Sequence, residues 1–87
     1  MVGKVYVTNP GLWHCLVVKV ITKFRTSILV ETSGYISNGS FIYNPAKLYV
    51  NREATNTEKL YFERKAKELG YVIDYKNVKV CKINEEI

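Results

Sequence analysis

Residues 16–22 read Leu-Val-Val-Lys-Val-Ile-Thr, and this stretch decides the fold class. Four of the five residues from Val17 to Ile21 are branched at Cβ. Such side chains lose rotamer freedom in a helix and fit the pleated surface of a sheet. The stretch therefore predicts a β-strand, which we extend over residues 12–22.

The sequence on both sides of this strand also favours β structure. Further strands are expected over residues 3–8, 27–32 and 47–50, and a hairpin with its arms at residues 35–36 and 40–43. Asn38-Gly39 separates the two arms, and Asn-Gly is the strongest short-range hairpin signal because both residues adopt positive φ readily. Ser33-Gly34 is assigned to another turn.

After residue 54 the pattern changes to that of a helix. Thr55-Asn-Thr-Glu58 fits the S/T-x-x-E capping box, in which two otherwise unpaired backbone N–H groups are satisfied. Gly70 stands where a glycine commonly ends a helix. An apolar stripe at helical spacing lies between these signals and comprises Phe62, Ala66 and Leu69.

Residues 3–50 resemble the small SH3-like barrels of the KOW type. The matching segments are Gly3-Lys-Val-Tyr-Val7, a loop containing Gly11, Leu16-Val-Val-Lys-Val20, Ser27-Ile-Leu-Val-Glu31 and Pro45-Ala-Lys-Leu-Tyr-Val50. In that family such segments are successive barrel strands, and the loops between them contact RNA, DNA or another protein. The resemblance implies a barrel with a binding function.

One domain over residues 1–87 is expected, since domains usually have roughly 100–150 residues. Its predicted fold class is α+β, mostly β: a small SH3-like barrel or strongly bent antiparallel sheet with one C-terminal helix packed on it. The expected parts are a basic β-rich region (3–50), a helix (55–70), one or two terminal strands (71–83) and a frayed tail (84–87).

The positive charge is concentrated in the β-rich region. Residues 1–52 contain six Lys and Arg and a single acid, Glu31, and therefore account for the whole net charge of +5. Aromatic residues are interleaved with these cations. This combination suits nucleic acid, because Lys and Arg neutralise phosphates and flat rings stack on bases.

The favoured function is therefore non-enzymatic binding of DNA or RNA. The expected phosphate contacts are Lys19, Lys23, Arg25, Lys47 and Arg52, and the expected stacking rings are Tyr35 and Tyr43. Phosphate contacts carry little sequence information, so the binding should be largely non-specific. The alternative is a protein-binding adaptor or an inhibitor of a host enzyme, which would bind through Trp13 and exposed strand edges.

No sequence motif indicates catalysis, a metal site or a cofactor. His14 and Cys15 are neighbours, but adjacent strand residues point to opposite faces and cannot form a thiol–imidazole pair. Two cysteines without zinc-ligand spacing are expected to be reduced thiols in the core.

The sequence also bears on the setting of the protein. It has no apolar run of about 18 residues and no signal-peptide pattern at its start, so we expect a cytoplasmic protein without a membrane partner. The abundance of Asn, Lys, Ile and Tyr is typical of an AT-rich genome. Small basic proteins of this kind are common among phage products, which suggests a role in host or viral transcription or DNA metabolism.

Overall fold

The structure is a computed structural model that describes residues 2–83. Its elements follow the order β1 (Val5–Val7), β2 (His14–Lys23), β3 (Ile28–Ser37), β4 (Ser40–Ile42), β5 (Ala46–Val50), β6 (Arg52–Glu53), α1 (Asn56–Glu68), β7 (Tyr71–Asp74) and β8 (Lys79–Lys82). The expected class, mostly β with one helix packed on an antiparallel sheet, is confirmed. The tail predicted at 84–87 lies outside the described residues.

The local signals at both ends of the helix are confirmed. Thr55 Oγ1 accepts a hydrogen bond from the backbone N–H of Glu58, and the Glu58 carboxylate accepts one from the backbone N–H of Thr55. Gly70 follows the helix with a φ of +87°. The capping box and the glycine therefore set the limits of α1, as the sequence indicates.

The main sheet is antiparallel and closes on itself. Its order is β4-β3-β2-β1-β6, and β5 pairs with the first half of β3. Only Asn51 separates β5 from β6, and β6 pairs with β1. Strand pairing thus links β6, β1, β2, β3 and β5 in that order, and the chain itself completes the circuit at Asn51 between β5 and β6.

Asn51 ties this closure together. Its backbone N–H donates to the carbonyl of Val7, and its side-chain amide donates to the carbonyl of Thr26 at 2.6 Å. Its side-chain oxygen accepts a hydrogen bond from the backbone N–H of Asn9 at 2.8 Å. One asparagine therefore links the β2–β3 turn, the loop after β1 and the junction of β5 and β6.

Irregular pairing between β2 and β3 bends the sheet. Their register shifts three times, between Cys15 and Val17, between Val17 and Lys19, and between Val20 and Thr22. An extra residue on one strand bends that strand and increases its twist. The bent pair brings the chain beyond β5 back to β1.

The sheet has buried residues on both faces. Inside the roll lies one core cluster, formed by Tyr6, Cys15, Val17, Val30 and Val50. The second cluster joins the outer face to α1 and to the β7–β8 hairpin, and comprises Val5, Leu16, Ile36, Phe41, Phe62, Ala66 and Val80. Covering both faces gives a short chain two small cores instead of one.

The prediction of a turn at Ser33-Gly34 is wrong, because both residues lie within β3. Cys15 pairs with Tyr35 and Val17 pairs with Thr32, so Ser33 and Gly34 occupy a bulge. A glycine inside a strand often marks such a bulge or a close approach. Here it marks both.

Gly34 allows the β7–β8 hairpin to approach the main sheet. A Cβ atom at this position would lie 2.9 Å from Cζ of Phe41 and 2.9 Å from Cγ2 of Val80. Both neighbours belong to the buried cluster beneath the helix. Any side chain at residue 34 must therefore displace core atoms.

Gly34→Ala is expected to lower the free energy of unfolding by roughly 1–3 kcal/mol, because it overpacks this contact. Urea denaturation measures the effect. The substitution should cost less in a Val80→Ala background, where Cγ2 is absent, which gives a double-mutant cycle. An unchanged stability for Gly34→Ala would contradict the close approach.

Candidate nucleic-acid interface

The outer face of β2, β3 and β5 carries two of the predicted cations in a single row. Cross-strand register places Lys19 opposite Glu31, and Glu31 opposite Lys47. Directly opposed residues share a face of the sheet. Lys19 and Lys47 are therefore neighbours of the same carboxylate, and both lysines are exposed.

The next row of this face carries an exposed aromatic ring. Tyr49 lies opposite Leu29, and its side chain is 57% exposed. The ring of Phe24, itself 51% exposed, lies 5.9 Å from that of Tyr49 between centroids. Two half-exposed rings thus adjoin the lysine row.

The turn between β2 and β3 adds two cations beside Phe24. Lys23 is the last residue of β2 and is exposed, but it pairs with Ile28, which packs against the cluster inside the roll, so it starts from the other side of the sheet. Arg25 lies in the turn that the Phe24 N–H closes by donating to the carbonyl of Ser27 at 2.7 Å. We call the surface formed by Lys19, Phe24, Lys47 and Tyr49, together with the exposed cations Lys23 and Arg25 of the adjoining turn, the basic face. Within residues 2–83, none of its four cations forms an ion pair.

Arg52 is the predicted cation that does not join the basic face. Its guanidinium donates to both carboxylate oxygens of Glu58, at 2.8 and 3.0 Å. The Arg52 guanidinium, with the N-terminal backbone of α1, lowers the pKa of Glu58 to about 2. Arg52 therefore fastens β6 to the start of the helix and is engaged within the fold.

The structure also places the two predicted stacking rings elsewhere. Tyr35 is half-buried against the cluster inside the roll, and its ring contacts that of Trp13 with centroids 5.7 Å apart. Tyr43 is exposed, but its ring lies 5.0 Å from that of Tyr71 in the β7–β8 hairpin. Neither ring adjoins the lysine row.

Sequence reasoning missed Tyr49 and Phe24. One signal was present: Lys47 and Tyr49 are two residues apart in a strand, and such residues share a face. Phe24 stands directly between Lys23 and Arg25. That this turn meets Tyr49 follows only from the pairing of β3 with β5.

Trp13, His14 and Cys15 have separate environments at the start of β2. Trp13 is half-buried, and its neighbour Leu12 is 68% exposed. The ring of His14 lies 5.1 Å from that of Tyr61 on α1, whereas Cys15 is buried inside the roll. Burial raises the pKa of the Cys15 thiol to about 12. The expectation that His14 and Cys15 point to opposite faces is confirmed.

The two thiols differ in their surroundings. Cys15 is fully buried, as expected, whereas Cys81 in β8 is only half-buried. Both are free. Residues 2–83 also contain no group of three His, Cys, Asp or Glu side chains arranged to hold a metal ion. No helix in this part of the chain combines the length and apolar character needed to cross a membrane.

Comparisons with known proteins find no relatives. No protein-family model matches the chain, and neither a curated protein nor a solved structure matches it. The resemblance of residues 3–50 to SH3-like barrels of the KOW type therefore stays a prediction.

The Arg52–Glu58 pair should make stability depend on pH. The pKa of Glu58 is about 2 in the folded protein against an ordinary value of 4.5, so its stabilising effect is present above about pH 4.5 and is lost as the pH falls toward 2. Glu58→Gln should lower the free energy of unfolding by about 1 kcal/mol near neutral pH. The difference in free energy of unfolding between Glu58→Gln and wild type should become smaller in acid, where Glu58 is protonated.

Urea denaturation across this pH range measures both effects. Glu68→Gln is the matched control, because Glu68 lies on the same helix but pairs with Lys65 at a longer distance of 3.7 Å. If wild type and Glu58→Gln differ in free energy of unfolding by the same amount at every pH, the ionised Glu58 carboxylate is not the source of the stabilisation.

Proposed function

We propose that the protein binds single-stranded nucleic acid through the basic face, without catalysing a reaction. The observation that carries this proposal is the half-exposed Phe24–Tyr49 ring pair beside the row of Lys19 and Lys47. Single strands offer unpaired bases to such rings, because every base has a face on which an aromatic ring can stack. The adjoining cations supply the phosphate contacts.

The charges of the basic face support this function. Lys19 and Lys47 flank one carboxylate, Glu31, and Lys23 and Arg25 follow at the adjoining turn. None of these four cations is held in an ion pair within the described residues. Cations that bind phosphates release condensed counterions, which favours association most strongly at low salt. Because phosphates and stacked rings are found along any sequence, the binding is largely non-specific.

Such binding suits a cytoplasmic protein of phage origin that acts on host or viral transcription or DNA metabolism. Coating a transiently single-stranded segment needs neither sequence readout nor catalysis. The proposal is the same for DNA and RNA, since phosphates and bases are common to both.

A protein-binding adaptor is the second candidate, and one observation favours it. Leu12 is 68% exposed beside the half-buried Trp13, and exposed apolar surface with an aromatic neighbour is typical of interaction sites. This surface lies at the start of β2, whereas Lys23 lies at its end. Substitutions on the basic face therefore distinguish the two functions.

The salt dependence of binding tests the nucleic-acid proposal. With about −0.7 per phosphate contact for single strands, four cations predict a slope of about −3 for log K against log salt. Lys23→Glu with Arg25→Glu should reduce the slope to about −1.5 and weaken binding of oligo(dT) by at least about tenfold. Fluorescence anisotropy at several salt concentrations measures both.

Lys76→Glu with Lys82→Glu is the control, since it changes the net charge equally on the β7–β8 side. This control variant should retain most of the affinity for oligo(dT). If both double variants lose affinity equally, net charge rather than the basic face governs binding. If wild type does not bind oligo(dT), and a protein partner binds wild type and the Lys23–Arg25 variant equally well, the adaptor function is correct.

A comparison of oligo(dT) binding by Tyr49→Ala and Tyr43→Ala tests which ring stacks on bases. Both tyrosines are more than half exposed, but only Tyr49 adjoins the lysine row. Loss of one stacked base costs about 1–3 kcal/mol, so Tyr49→Ala should weaken oligo(dT) binding by roughly fivefold to a hundredfold. Tyr43→Ala should change it less than about twofold. The reverse order of effects would place the site near the β7–β8 hairpin.

A further inference from the structure

A cavity of about 320 Å³ lies at the start of β2, far along the strand from the basic face. Its walls come from the loop before β2, the β3–β4 turn and α1, and are formed by Gly11, Leu12, Trp13, His14, Ile36, Ser37, Asn38, Gly39 and Tyr61. This volume is within the range of small-molecule sites, about 300–1,000 Å³. The wall contains aromatic and aliphatic side chains and a few polar ones, and it contains no charged residue.

His14 in the cavity wall has an unsatisfied ring nitrogen. The side chain is 8% exposed, and Nδ1 is enclosed without a hydrogen-bond partner. Buried polar atoms of native proteins nearly always have a partner, so an orphan among described residues calls for an explanation. Because Nδ1 is enclosed by the protein, it is out of reach of a bound molecule, and its importance is that it restricts the position of the ring proton.

The surroundings of His14 determine which hydrogen bond it can offer. A proton on Nδ1 would be an enclosed N–H without an acceptor, and an unpaired buried N–H is among the costliest polar groups. The proton therefore belongs on Nε2. This atom also has no hydrogen-bond partner within the described residues, but unlike Nδ1 it is not enclosed, and His14 lines the cavity. Burial also lowers the pKa of His14, so the ring is neutral at physiological pH. His14 thus presents a single N–H donor.

Charges of both signs lie near the cavity: the Glu58 carboxylate raises the pKa of His14 and the Arg52 guanidinium lowers it. The guanidinium carbon of Arg64 and the ammonium of Lys65 lie 5.4 and 5.8 Å from the centre of the Tyr61 ring. Lys65 has a partner in Glu68, whereas Arg64 forms no ion pair within the described residues. A bound molecule therefore meets rings and one imidazole N–H, and the surrounding charges do not select its sign.

We propose that this cavity binds a small planar molecule with a carbonyl-type oxygen, an aromatic carboxylate or carboxamide, and that the Nε2–H of His14 donates a hydrogen bond to that oxygen. The ring of the ligand packs among Trp13, Tyr61 and Leu12, which are the larger apolar groups of the wall. The hydroxyl of Ser37 and the amide of Asn38 stand at the same wall and offer further polar contacts. This site is independent of nucleic-acid binding.

Benzamide and benzoate are the probes, and benzylamine is a ring of similar size that carries an ammonium group and no acceptor. Small fragments bind weakly, so the titrations use millimolar concentrations. Trp13 is the only tryptophan, and its fluorescence reports occupation of the cavity. ¹⁵N spectra of the His14 ring report the tautomer and any hydrogen bond to Nε2.

We expect benzamide or benzoate to change the Trp13 fluorescence and to shift the Nε2 resonance, and benzylamine to do neither. His14→Phe keeps a ring but lacks the donor, and should weaken binding by about fivefold. His14→Gln retains an N–H donor near the Nε2 position and should recover part of the loss. Oligo(dT) binding should stay unchanged in both variants.

Three results would overturn the proposal. The first is the absence of binding by both acceptor probes, and the second is equal binding of benzylamine. The third is a ring proton on Nδ1 in the free protein, which is measured on wild type and so does not depend on whether the variants fold. Failure of oligo(dT) binding would count against the proposed function alone.

Discussion

The irregular pairing of β2 with β3 is the constraint on which the rest of the structure depends. In so short a chain, one face of a sheet does not bury enough apolar surface to stabilise the fold, and a flat sheet would leave the other face exposed to solvent. The three register shifts bend the pair and let β6 reach β1. One face then encloses Val30 and its neighbours, while the other receives α1 around Phe62. Gly34, in one of these bulges, permits the second hairpin to approach.

The same bending separates two surfaces along β2. At the strand's end, the outer face turns away from α1, and Lys19 and Tyr49 remain in solvent. At the strand's start, His14 faces the helix and lines a cavity against Tyr61. His14 and Lys19 both belong to the outer side although they are five residues apart, because the register shift between Val17 and Lys19 inserts an extra residue into β2. One long strand thus supplies a polar, charged surface and an uncharged cavity.

Composition alone treats all cations of the β-rich region as equivalent, and the fold does not. Lys4 and Arg52 neighbour carboxylates that come later in the chain, Glu53 and Glu58. Fewer cations of the β-rich region therefore remain unpaired than the sequence suggests. Their position beside exposed rings, rather than their number, is what favours nucleic acid over a general polyanion.

Local chemistry in the sequence determined the elements: the β-branched run from Val17 to Ile21, the Asn38-Gly39 turn, the capping box and Gly70 each act within a few residues. Tertiary structure alone decided which elements meet. The Ser33-Gly34 pair has the chemistry of a turn, yet the bulge opposite β2 holds it in a strand. Likewise, Tyr49 and Phe24 meet only because β5 returns to β3. Register between distant strands depends on how whole faces pack, and no short stretch of sequence contains that information.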